Sequence, residues 1–297
     1  MDIRVYVGPH RTASRHLASV LTNNADLLDA QDIVFYSSTR TTLHHINSAL
    51  KAIAGGGDKA DAVGSLLHSL TRGREAKRLL LVNPNIVGNV TQPFGKELFY
   101  PRTTGLIHQL QTLFGENEIQ LYASVRNPAT FVPSCYAQSL LNASFSDYTS
   151  FLKEVNLPSL RWSTFLQRLQ GKRLDIPVTV WRFEDYPLIW RDIAQTFSGI
   201  ENSQNLIGNS ERRNASLTLH GAQLLHKYVE DHPPRTRDEF ESIKLSFLEK
   251  FPSSATEVAS PDWSAETIQS LTHNYEDDWY YIERMGDIKT IQPRKFS

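Results

Sequence analysis

Val7-Gly-Pro-His-Arg-Thr-Ala-Ser-Arg-His-Leu17 is the stretch on which the reading of this chain turns. An apolar run, Ile3–Val7, feeds into it, and Leu17, Val20 and Leu21 follow at the spacing of one helix face. The segment leaves a buried strand at Gly8 and enters a helix near Ala13, so Val5 to Leu21 reads as strand, tight turn and helix. A helix start carries unpaired backbone N–H groups and a partial positive charge, which together hold a phosphate. Arg11, Thr12, Ser14 and Arg15 add two cations and two hydroxyls to that turn. The ligand they suggest is a diphosphate-like group. Taken alone, the stretch is equally an ordinary turn with solvated arginines.

Four further runs read as strands: Ile33–Tyr36, Leu79–Val82, Ile119–Val125 and Val178–Phe183. They are apolar on consecutive positions, as strands covered on both faces are. Segments of helical spacing separate them, among them one with Leu106, Leu110 and Leu113. This alternation predicts a doubly wound α/β fold with a parallel sheet of about five strands and helices on both faces. Residues 200–297 change character: Leu217–Val229, Phe240–Phe251 and Ile268–Met285 read as helices separated by prolines. Ser264 is the expected N-cap of the last, whose stripe is Ile268, Leu271, Tyr275, Trp279 and Ile282. The expectation is one domain over 1–297, with 200–297 a mainly helical extension of it.

The 297 residues are 40% hydrophobic, enough for a large core. Net charge is −1, and the richest basic stretch, Arg72–Arg78, is broken by Glu75, so nucleic acid is not an expected partner. Cys135 is the single cysteine, which rules out an intrachain disulfide and a thiolate cluster for a metal. No run reaches the length of a membrane span and no signal peptide is evident, so the expectation is a cytoplasmic protein. The oligomeric state is left open.

The N-terminal turn departs from the Walker A pattern, because Ala13-Ser14-Arg15 stands where Gly-Lys-[Ser/Thr] belongs. The third strand ends in Val82-Asn83 rather than in an aspartate. Both departures disfavour a magnesium-dependent kinase or NTPase. A second segment carries matching chemistry. Arg126 follows the strand Ile119–Val125, at the carboxyl end where open α/β sheets place ligands. Pro128 and Pro133 are expected to delay the next helix to about Ser134–Leu141, which puts the Ser134 hydroxyl beside free helix N–H groups.

The two segments together resemble the cofactor sites of PAPS-dependent sulfotransferases (PAPS is 3′-phosphoadenosine-5′-phosphosulfate). In that family a Pro-Lys-[Ser/Thr]-Gly-Thr-Thr-like loop holds the 5′-phosphosulfate. A later arginine, with a serine eight positions on, holds the 3′-phosphate. Pro9-His10-Arg11-Thr12-Ala13-Ser14 aligns with the loop, and Arg126 and Ser134 have the separation. The likeness is greatest to bacterial sulfotransferase-like proteins that begin Gly-Pro-His-[Lys/Arg]-Thr. Val178–Tyr186 resembles the family's late strand with its Tyr-Glu-Asp-like tail, and Trp162, Phe165 and Leu169 fit the helix before it. Leu79–Gly88 resembles a strand often followed by an Asp-Glu-Asn-like turn. The likeness covers roughly residues 1 to 190.

The resemblance implies a P-loop-like three-layer sandwich and transfer of a sulfuryl group, without metal, from PAPS to the hydroxyl of a carbohydrate or small metabolite. Adenosine 3′,5′-bisphosphate is then the product. Pro9, Arg11, Thr12, Ala13, Ser14, Arg15, Arg126 and Ser134 are the implied cofactor contacts, joined by Arg212 or Arg213 of the segment Glu211–Ser216. Arg11 replaces the family's lysine, so its implied role is electrostatic stabilisation rather than proton donation. His10, His44 and His45 are candidate catalytic residues, with Glu97 and His108 further candidates for the base. Asn83-Pro84-Asn85 stands where related proteins often carry acids. Tyr36, Phe94, Phe99, Tyr100 and Tyr136 are candidates to line an acceptor pocket or to fill core. The competing reading, supported by Arg11, Ala13, Arg15 and the missing acid, is a non-catalytic nucleotide-binding protein of the same fold.

Overall fold

Six strands run parallel in one sheet of order β2-β3-β1-β4-β5-β6. They are β1 (Asp2–Gly8), β2 (Ile33–Tyr36), β3 (Arg78–Val82), β4 (Glu118–Val125), β5 (Val178–Arg182) and β6 (Ile288–Ile291). The computed structural model describes residues 1–37, 39–115, 117–144, 146–153, 155–171, 176–208, 217–253 and 263–294. Helices α1 (Ser14–Asn23) and α2 (Ala25–Asp29) connect β1 to β2, and α3 (Thr39–Ala54) and α4 (Lys59–Thr71) connect β2 to β3. A 3₁₀ turn (Pro84–Ile86) and α5 (Thr103–Phe114) lead to β4. Then α6 (Pro128–Leu141), α7 (Tyr148–Leu152) and α8 (Trp162–Gln170) lead to β5. Four helices precede β6: α9 (Tyr186–Ser198), α10 (Leu219–Asp231), α11 (Arg237–Lys250) and α12 (Ala265–Ile282).

Consecutive apolar residues serve opposite faces of the sheet, which is why the strands do not alternate with polar residues. Val5, Val7, Leu79 and Leu81 pack with Leu110 of α5, Phe131 of α6, Phe165 of α8 and Trp279 of α12. Tyr6, Leu80, Val82 and Trp181 pack on the other side with Leu17 and Leu21 of α1 and Ile193 of α9. The result is three layers. Because α1 and α5 leave neighbouring strands towards opposite faces, a crevice opens at the carboxyl ends of β1 and β3.

The five expected strands are present, within a residue at their ends. The sixth, Ile288–Ile291, is an addition: it pairs with β5 at the sheet edge, and Lys289 and Thr290 interrupt the apolar run that marks the others. The C-terminal region therefore supplies a strand as well as helices. Ser264 caps α12 as expected, accepting from Thr267 N–H.

The start of α6 is a correction. The helix begins at Pro128, with the Asn127 side chain accepting from Ala129 N–H, and Pro133 lies inside it. Proline at the first helical position gives up an N–H that has no partner anyway, and Pro133 removes one hydrogen bond from the second turn. Ser134 thus stands within the helix, away from free N–H groups. No helix of the described chain is long and apolar enough to cross a membrane.

Candidate functional site

The turn after β1 is shaped by backbone conformation that its residue types do not favour. Gly8 has φ 101°, and a Cβ there would lie 2.8 Å from Pro84 Cβ, so the bare glycine lets the β3 turn press against β1. Arg11 and Ala13 are both left-handed, at φ 62° and 66°, with Thr12 between them not so. Alternation of this kind turns successive N–H groups towards one side, as in anion-binding nests. Thr12 is 1% exposed. Its hydroxyl donates to Pro9 O at 2.5 Å and is 2.7 Å from Tyr6 Oη. That hydroxyl fastens the loop to the core and is not offered to a ligand.

A cavity of about 380 Å³ opens between this turn, the end of β3 and α6. His10, Arg11, Ser14 and Arg15 line one side, and Asn85, Gln138 and Asn142 line the other. None of its described lining residues is acidic, and none is Phe, Tyr or Trp. Ala13 at the N-cap of α1 offers no capping side chain, and the first turn contains no acid. Among the described residues no carboxylate pairs with Arg11 or Arg15. At the opposite end of β1, by contrast, Arg4 and Arg78 both pair with Asp2, at 3.0 and 2.5 Å. The upper end of the strand is left electropositive.

Arg11 connects the two segments singled out in the sequence. Its Nε donates to Ser134 Oγ at 2.8 Å, and its Nη1 donates to Gln138 Oε1 at 2.9 Å. Arg126 Nη1 donates to Arg11 O at 2.8 Å and to the same Ser134 hydroxyl at 3.3 Å. Arg126 is held further by Thr130 Oγ1 at 3.0 Å and lies over the Phe183 ring. Burial lowers the pKa of the Arg11 guanidinium, and the neighbouring Arg15 adds to this, yet arginine remains charged at neutral pH. Cys135, one residue from Ser134, is pushed up to about 12 by burial. It is a core thiol, not a nucleophile.

His10 is locked rather than poised. With Asn85 Oδ1 3.0 Å from Nε2, that nitrogen carries the proton, and Nδ1 accepts from the Tyr100 hydroxyl at 2.9 Å. Tyr100 Oη also accepts from His10 N–H at 3.1 Å. Burial drives the imidazole pKa down to about 4, so the ring is neutral and both its nitrogens are engaged.

The remaining candidates lie apart from the cavity. His44 is exposed on α3 and His45 packs edge-on to Tyr36, and neither lines the cavity. Glu97 and His108 are exposed. Tyr36, Phe99, Tyr100 and Tyr136 are core residues, with Phe94 packed against them. Glu184 accepts from Asn127 N–H and from Tyr275 Oη, bracing the start of α6. Arg212 and Arg213 lie outside the described residues.

Sequence reading missed Asn85 and Gln138 as site residues. The i, i+4 pairing of Ser134 with Gln138 is the signal that was present for the second. Among the described residues no three His, Cys, Asp or Glu side chains form a metal site. Fold and site define a class, an open parallel α/β protein with an anion-receptive cavity at the carboxyl ends of its strands. Beyond that class, no family model, curated protein or solved structure matches the chain.

Proposed function

We propose that the protein is a PAPS-dependent sulfotransferase acting on a hydroxyl acceptor. The observation that supports this reading is the cavity at the start of α1, which has no acid among its described lining residues, with Arg11 joining it to Arg126 and Ser134. On this reading Arg11, Arg15, Ser14 and the α1 N–H groups would hold a 5′-phosphosulfate, and Arg126 and Ser134, which bond to Arg11 and do not line the cavity, would turn to a 3′-phosphate. In the reaction the acceptor oxygen would bond to sulfur, its proton passing to solvent, as the bond from sulfur to the bridging phosphate oxygen breaks. Adenosine 3′,5′-bisphosphate departs with the electron pair of that bond. Arg11 and the helix start offset the charge gathering on the bridging oxygen, and the cavity walls align the acceptor.

Calorimetric titration with adenosine 3′,5′-bisphosphate, alongside ATP–magnesium, tests the reading in wild type and in Arg126→Ala. Binding of the bisphosphate alone, lost in the variant, is the expected result. A preference for ATP–magnesium, or no binding of the bisphosphate, refutes it.

A second reading has its own observation. Apart from arginines, His10 is the only titratable side chain among the described residues that line the cavity, and both its nitrogens are engaged. Among the described lining residues no base is thus available for the acceptor proton, which favours a protein that binds the nucleotide without turnover. Bisphosphate binding without sulfuryl transfer to any of a panel of sugars and alcohols selects this alternative.

A further inference from the structure

We propose that Gln138 is a positioning residue that aims Arg11 without cancelling its charge, and so makes the cavity selective for multiply charged oxyanions. The inference builds on the anion-binding half of the function proposed above. Its starting point is the set of acceptors that hold Arg11: the Ser134 hydroxyl on Nε and the Gln138 carboxamide on Nη1. Both are uncharged, and they stand four residues apart on one face of α6. The amide orientation is fixed by chemistry, because a guanidinium only donates and Oε1 must face it. Gln138 Nε2 then donates to Asn142 Oδ1 at 3.1 Å, again i to i+4. The glutamine is thereby held at both ends.

Arginines fixed against a helix are commonly held by carboxylates, whose geometry matches the guanidinium fork. This chain uses that solution elsewhere, where Asp2 takes Arg4 and Arg78. A glutamate at 138 would reach the same Nη1 and make a stronger bond. It would also neutralise the cation that gives the cavity its sign. Glutamine supplies the geometry and leaves the charge for a ligand. The Nη2 group of Arg11 makes no hydrogen bond among the described residues, and Arg11 lines the cavity. A tetrahedral phosphate or sulfate group with two or more charges suits this arrangement, and a neutral or cationic molecule does not.

The order of two variants provides the test. Wild type, Gln138→Glu and Gln138→Ala of the full chain are titrated calorimetrically with inorganic pyrophosphate and with adenosine 3′,5′-bisphosphate, and each is melted. The expected loss of pyrophosphate affinity is about 10- to 100-fold for Gln138→Glu and about three- to tenfold for Gln138→Ala. Gln138→Glu should melt no lower than Gln138→Ala, because it keeps the bond to Arg11. A glutamine that merely braced the helix would give the reverse order, with alanine more harmful than glutamate. That order, unchanged affinity in Gln138→Glu, or a wild type that takes no pyrophosphate overturns the proposal. A wild type that takes pyrophosphate, shows the expected order and refuses the bisphosphate leaves Gln138 in its role and removes the sulfotransferase reading instead.

Discussion

The first turns of α1 and α8 both lack a capping side chain at the residue that precedes them, and they are completed in opposite ways. At α8 the buried carboxylate of Asp278 arrives from α12. Its Oδ2 accepts from Trp162 N–H at 2.6 Å and Ser163 N–H at 3.2 Å, and its Oδ1 accepts from the Ser163 hydroxyl. At α1 no acid arrives from among the described residues, and Arg11 and Arg15 add to the positive potential of the helix start. A helix start filled by the chain's own carboxylate is a structural joint. One left without a carboxylate among the described residues, beside two arginines, is suited to an external anion, because the same orphan N–H groups remain for it.

Removing the cation at the open end should have the largest effect. Arg11→Ala is expected to lower affinity for pyrophosphate or the bisphosphate by about 100-fold, corresponding to loss of a charged hydrogen-bond donor. On the sulfotransferase reading proposed above, sulfuryl transfer should disappear with it, while the melting temperature changes little because no buried partner is left charged. Near-wild-type affinity in a calorimetric titration would place the receptor elsewhere. At the closed end the signs are exchanged. Asp278→Ala leaves two N–H groups and a hydroxyl without their acceptor and should cost about 3 kcal/mol of stability in urea unfolding. Anion affinity of the folded protein should be unaffected. A variant as stable as wild type would break the contrast between the two helix starts.

The loop after β1 also carries a pH signature. The His10 pKa is about 4 in the fold against an ordinary 6.5, so the unfolded chain takes up a proton at a higher pH than the native one. The contribution of neutral His10 is complete above about pH 6.5 and is lost as pH falls through that value towards 4. It amounts to at most about 3 kcal/mol, from about 1.4 kcal/mol for each tenfold difference in proton affinity between the two states. The pH dependence of unfolding should therefore flatten over this interval in His10→Gln. An unchanged slope would mean that burial does not hold the ring neutral.

The two helix starts also differ in how far they are legible in the sequence. The open one could be read because its cations and hydroxyls are contiguous, and because the spacing of Arg126 and Ser134 is local. Five strands were legible for the same reason, since burial on both faces writes itself as a continuous apolar run. What escaped reading is tertiary. Asp278 meets Ser163 across 115 residues and Gln138 meets Arg11 across 127, separations that carry no pattern. Ile288–Ile291 has too few apolar residues to announce an edge strand. Helix α6 starts at Pro128 rather than near Ser134 because tertiary packing of Phe131 and Val132 favours the helix that Pro133 alone would discourage.

The smallest expected effect comes from a loop residue whose conformation contradicts its type. Ala13 holds φ 66° and ψ 18° at the N-cap of α1, where an L-residue bears a strain of about 1 kcal/mol that glycine lacks. Glycine also widens the unfolded ensemble, which costs about 0.4–1 kcal/mol. The two contributions oppose each other, so Ala13→Gly should change unfolding free energy by no more than about 0.5 kcal/mol. Affinity for pyrophosphate is the more informative readout. Alanine restricts the loop more than glycine does, and an anion that relies on a preformed nest loses part of that order in the variant. A drop of about two- to threefold is expected from the ordering then left to binding. Tighter binding in the variant would show that the loop of the wild type is held away from its receptive shape, and the open helix start would then have to be completed by the ligand rather than offered to it.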